Sequence, residues 1–169
     1  PGSEVLQRIR KSLFSGSTSS IVNTPSPAIA RVHKTRAELT ITPDNGPDTA
    51  ALAYIRENPE ITDVILQVPD KGESTLMSQV DRICRVATFL GEMDHIACIR
   101  IGWEAFQTRP KAFSRRVIDP IVGLANFSIG DPLKIEMETW WLLPQDLLPE
   151  HGEIVQLFTS QGIQTYANL

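Results

Sequence analysis

From Asp48 onward, short apolar runs alternate with amphipathic stretches, and that alternation restricts the fold more than any other feature of the chain. Asp48 or Thr49 caps a helix over Ala50–Asn58, which Pro59 breaks. Val64-Ile65-Leu66-Gln67-Val68 reads as a buried strand. Ser74 or Thr75 opens a long helix with Leu76, Val80, Ile83, Cys84, Ala87 and Leu90 on one face. Ile96–Ile101 is the next strand. Ser114 opens a helix through Val117, Ile121 and Leu124, with Pro120 at or near its first turn. Leu133–Trp141 is a strand, Pro149 and Glu150 begin a helix through Ile154, Leu157 and Phe158, and Gly162 stops it before a last strand, Ile163–Ala167. Counting Ile21-Val22-Asn23 as the first, this gives five strands and four connections. Strands separated by helices make parallel units with right-handed crossovers. The expected class is α/β: a partial parallel (β/α) barrel or an open parallel sheet.

A closed eight-unit barrel typically takes about 250 residues, so the 169 here suit a partial barrel, an open sheet or part of something longer. Hydrophobic residues make up 41%, enough for one core. Pro1-Gly2-Ser3 looks like a cloning remnant, Glu4–Phe14 like a short amphipathic helix, and Ser15–Ser20 like a flexible polar linker. Residues 1–20 are therefore set apart from a domain over 21–169. Residues 37–48, with two prolines, Asn45 and Gly46, read as a loop.

Sixteen Lys and Arg against 20 Asp and Glu leave a net charge of −4, which argues against nucleic acid or an anionic membrane as partner. The nearest basic patch, Arg31, His33, Lys34 and Arg36, is short. No apolar run reaches the ~20 residues of a membrane span. Two cysteines, Cys84 and Cys98, cannot supply the three or four thiolates of a standard iron–sulfur or four-cysteine zinc site. They read as small buried residues in a reduced, cytoplasmic compartment.

Strand alternation sets Glu136, Glu138 and Trp140 on one face, with the two carboxylates about 7 Å apart along the strand. The same rule groups Arg100, Gly102 and Glu104, and also Asp63, Ile65 and Gln67. If these faces meet inside a barrel, its interior is polar and Arg100 pairs with Glu136 or Glu138. Two readings stand: a ligand site near strand ends, or an internal ion-pair network. The spacing superficially suits a glycosidase pair, although such residues normally come from different strands. His95 and His151 read as surface histidines. No phosphate loop and no nucleophile elbow is present. Trp140-Trp141-Leu142-Leu143 is either core or an exposed contact patch, and an incomplete barrel invites self-association or a covering partner domain.

Tyr54-Ile55-Arg56-Glu57-Asn58-Pro59-Glu60-Ile61-Thr62-Asp63-Val64-Ile65-Leu66 resembles a segment of the lysine 2,3-aminomutase family of radical S-adenosylmethionine enzymes, where "YIRxxPxIxDVLL" leads into "SGGD". Arg100-Ile101-Gly102 and Pro110 resemble the family's "RIGTRxPVxxPQR", Thr139 and Pro144 its "THFNHP", and Gly162-Ile163 with Gln164-Thr165 its "GIPxxNQTVLL". The resemblance spans about residues 21–169. It implies a partial β/α barrel and, for the family, an iron–sulfur cluster, S-adenosylmethionine and pyridoxal phosphate. This chain departs from the family at the chemistry positions. Ser26, Ala30 and His33 stand where the family's "CxxxCxxC" has cysteines, and Val68-Pro69 stand for the two glycines of "GGD", with Asp70 kept. The charge of "RIGTR" is inverted at Glu104, "THFNHP" becomes Thr139-Trp140-Trp141-Leu142-Leu143-Pro144, and the pyridoxal-phosphate lysine region lies past Leu169. The expectation is a degenerate, non-catalytic domain that holds none of these cofactors and acts by binding or association. The ligand-binding candidates are Asp70, Arg100, Glu104, Glu136, Glu138 and Trp140, with a small molecule as a further partner. The alternatives are part of a larger aminomutase-like enzyme whose cluster is supplied elsewhere, or a small-molecule binder using a polar barrel interior.

Overall fold

The computed structural model describes residues 24–41, 48–70, 75–125, 133–140 and 147–168. Within these, six strands form one open sheet in the order of the chain: β1 (Ile29–His33), β2 (Arg36–Thr40), β3 (Asp63–Val68), β4 (Cys98–Trp103), β5 (Lys134–Trp140) and β6 (Gln164–Asn168). Neighbours from β2 to β6 are parallel, and β1 pairs antiparallel with β2. The helices are α1 (Thr49–Glu57), α2 (Leu76–Gly91), α3 (Glu104–Thr108), α4 (Arg115–Ala125) and α5 (Pro149–Ser160). The expected class holds as an open, mostly parallel sheet.

Because strand order only advances, right-handed crossovers carry every helix to the same face. The side chains obey this. Val64, Leu66, Ile99, Ile101, Ile135 and Met137 point to the helices and join one buried core with Ile55, Ile83, Ile118 and Phe158. Ile65 is also buried but stands outside that core, since alternation turns it the other way.

Helix ends explain why the elements stop where they do. Asp48 caps α1 by accepting from Ala51 N at 3.0 Å, and the hydroxyl of Ser26 donates to the same carboxylate. Thr75 caps α2 through Ser78 N at 3.2 Å. Leu148 has no acceptor to cap α5, so Nδ1 of His151 takes its backbone N–H at 2.9 Å. Gly162, at φ 82, ends α5 with the bond pair of a left-handed cap: its own N–H reaches Thr159 O and that of Ile163 reaches Phe158 O, both at 3.0 Å.

Four expectations need correcting. Part of the supposed loop over 37–48 is strand β2, whose Ala37 and Leu39 alternate into the core, while Pro43 and Pro47 come after it. The segment before it folds back as an antiparallel strand, so the sheet is not wholly parallel. Pro120 lies inside α4 rather than in its first turn. His151 is buried, because its ring caps α5 and packs 5.6 Å from that of Phe106. His95 is half-buried, with Nε2 3.1 Å from Ile55 O. The expected helix at Glu4–Phe14, strand at Ile21–Asn23 and apolar stretch Trp141–Leu143 lie outside the described residues.

Candidate functional site

Strand register places the polar side chains of the helix-free face in rows. Arg36, Asp63, Cys98 and Lys134 begin β2 to β5 as register partners, and Ile65, Arg100, Glu136 and Gln164 form the next row. Ion pairs run across these rows as a ladder. Arg36 Nε donates to Asp63 Oδ2 at 2.7 Å, Arg100 Nη2 meets that oxygen at 3.2 Å, and Arg100 Nε donates to Glu136 Oε2 at 3.0 Å. Lys134 Nζ pairs with Glu136 Oε1, and the Tyr166 hydroxyl donates to it from β6 at 3.3 Å. The acids are the buried members: the Glu136 side chain is 2% exposed, those of Arg100 and Lys134 27% and 53%. Burial pushes the Glu136 carboxyl up, but Lys134, then Arg100 and Tyr166, outweigh it and hold the group below the ordinary carboxylate range.

One row higher, Gln67, Gly102 and Glu138 are register partners. The Gln67 amide lies over Gly102, where a Cβ would come within 2.8 Å of its Oε1. Gln67 Nε2 and Asp63 Oδ1 are buried on this face with no hydrogen-bond partner among the described residues. Cys98 shares the face. Burial, then the carboxylates of Glu136 and Asp63, push its thiol up to about 11 against the opposing effect of Arg100. It is therefore protonated at neutral pH and no nucleophile. Cys84 is half-buried like Cys98, and its thiol is likewise raised, by burial and then by Asp81.

A separate knot closes the carboxyl ends of β3 and β4. Asp70 accepts from Arg109 through Nε at 2.9 Å and Nη2 at 2.5 Å, from the Thr108 hydroxyl at 2.6 Å and from Gln79 Nε2 at 3.4 Å. Gln79 in turn accepts from Trp103 Nε1 at 2.5 Å, and Glu104 accepts from the backbone N–H of Asp70 at 2.8 Å. Burial raises the Asp70 carboxyl, yet Thr108, Arg109 and Gln79 together hold it below its ordinary value.

Five of the six sequence candidates are thus divided between two places. Arg100 and Glu136 join directly, and Glu138 belongs to the same face one row on. Asp70 and Glu104 join in the knot, because β4 ends at Trp103 and Glu104 opens α3 instead of continuing the strand. Trp140 closes β5 opposite Asn168. Sequence reasoning did not single out Arg36, Lys134, Arg109 or Tyr166. Arg36 opens a strand read as loop, and α3 is too short to show periodicity.

The residues that the resemblance sets over the cluster cysteines do not fit an iron–sulfur cluster. The Ser26 hydroxyl is engaged by the Asp48 carboxylate and by Ala28 N at 3.1 Å. Ala30 has no ligand atom and pairs with Glu38 in the ladder. His33 ends β1, with Nδ1 3.3 Å from the Thr35 hydroxyl, and a strand's rise sets it roughly 10 Å from Ala30. At the turn after β3, Val68 is buried in the core and Pro69 has no N–H to offer a ligand. Among the described residues, no helix is long and apolar enough to cross a membrane. No protein-family model matches the chain, and no curated protein does either.

Proposed function

We propose that this chain is a non-catalytic β/α domain, a degenerate relative of the lysine 2,3-aminomutase family, that works by binding a small polar molecule on the helix-free face of its sheet. The observation that carries the reading is the pair of buried, unpartnered polar atoms on that face, Gln67 Nε2 and Asp63 Oδ1. Buried donors and acceptors are nearly always bonded, so each of these atoms, roughly 13 Å apart along β3, calls for an external partner: a donor for Asp63 Oδ1 and an acceptor for Gln67 Nε2. Arg100, Glu136 and Glu138 flank them and fix the ligand's orientation by charge. The Asp70 knot shapes the carboxyl end of the sheet and binds nothing itself, its carboxylate being saturated by three side chains.

A thermal-shift screen over small carboxylates, phosphates, amines and sugars tests this reading. At least one class should stabilise the protein, and Gln67→Leu or Glu138→Gln should remove that gain while leaving the circular dichroism unchanged. A screen in which no compound stabilises the chain, or a hit that survives both substitutions, contradicts it.

A further inference from the structure

The two edges of the sheet differ in how they would receive another strand. At β1, the register shifts between Arg31 and His33, and the Arg31 guanidinium is spent on the carbonyls of His33 and Lys34 and on Glu60 Oε1 at 3.1 Å. A bulge and a charged side chain are the ordinary means of keeping an edge from pairing. β6 has neither. Gln164-Thr165-Tyr166-Ala167-Asn168 contains no charge and no proline, keeps regular register with β5, and has no strand on its outer side among the described residues. Tyr166, at its centre, is 44% exposed.

We propose that β6 pairs with β6 of a second copy, antiparallel about a two-fold axis at Tyr166, so that two sheets become one. The strand is complementary to itself. Antiparallel pairing centred on Tyr166 sets position 164 opposite 168 and position 165 opposite 167, with no charged residue at any of them. Tyr166 then faces its own symmetry mate, an aromatic cross-strand pair. No like charges meet anywhere along it. Because the β1 edge is guarded, pairing stops at two copies, and the product is a closed dimer rather than a filament. The edge adjoins the polar face, since the Tyr166 hydroxyl also donates to Glu136 there; association is therefore read by sedimentation without ligand, which keeps it separable from the binding reading.

Sedimentation equilibrium over a concentration series tests the proposal on the whole chain. The mass should approach twice 18.8 kDa. Tyr166→Lys sets two like charges face to face and should raise the dimer dissociation constant on the order of tenfold. Tyr166→Phe should keep the dimer, and so should Ala30→Lys on the guarded edge. If Tyr166→Lys fails to fold by circular dichroism, Gln164→Lys probes the same edge. A monomer at every concentration, an assembly that grows past two copies, or a dimer indifferent to folded β6 variants would each overturn the proposal.

Discussion

The two polar networks of this sheet handle buried carboxylates in opposite ways. The ladder at the amino ends spreads two acids, Asp63 and Glu136, among three cations from β2, β4 and β5, and the cations keep part of their contact with water. The knot at the carboxyl ends concentrates one acid, Asp70, under donors from α2, α3 and the residue after it. A distributed network tolerates the loss of a member, because the remaining partners can turn to solvent. A concentrated one loses more contacts at once: removing the hub takes the shared acceptor from Gln79, Thr108 and Arg109, of which only Gln79 is buried. The ladder therefore ties β2 to β5 together across the sheet, whereas the knot fixes the turn after β3.

The largest test of this contrast is Asp70→Ala, which should cost about 3 kcal/mol in denaturant unfolding, as for breaking a buried charge pair from one side. Glu136→Ala should cost less, about 2 kcal/mol, since Arg100 keeps its second carboxylate, Asp63, and Lys134 is largely exposed. Equal losses at the two sites would erase the distinction. Gly102→Ala should cost about 1 kcal/mol, as its Cβ displaces the flexible Gln67 amide rather than backbone. It should weaken ligand binding more than it weakens the fold.

The smallest effect is on the acid limb of the stability curve. Asp70 and Glu136 both have folded pKa values below their ordinary ones, so through that range the unfolded chain binds more protons. Their contribution is fully present above the ordinary carboxylate range and is lost as pH falls below about 4. Urea unfolding at stepped pH should show a shallower acid loss for Asp70→Asn than for the parent chain. An unchanged slope would mean that the knot does not hold its carboxylate ionised.

Much of the fold was legible because the signals were local. The period of Leu76, Val80, Ile83 and Leu90, the caps at Asp48 and Thr75, and Gly162 after α5 each specify their element without distant partners. The β1–β2 hairpin was not, since Arg36–Thr40 gains its strand character from pairing with β3 and carries only two core residues. In the site, alternation put Arg100 on a face with Glu136 or Glu138, and the inter-strand register, which alternation does not set, decides for Glu136. Alternation failed at Glu104, where the strand gives way to a helix after Trp103. The burial of His151 was hidden for a similar reason. Its ring substitutes for a cap that Leu148 cannot provide, a role visible only once the helix start is fixed.

The proposed kinship, a scaffold kept without the chemistry of the aminomutase family, is tested directly by anaerobic reconstitution with iron and sulfide. With Ser26, Ala30 and His33 at the cluster positions, the chain should return from desalting with no stoichiometric iron and no visible cluster absorbance. A stoichiometric, absorbing cluster on the purified chain would contradict the account.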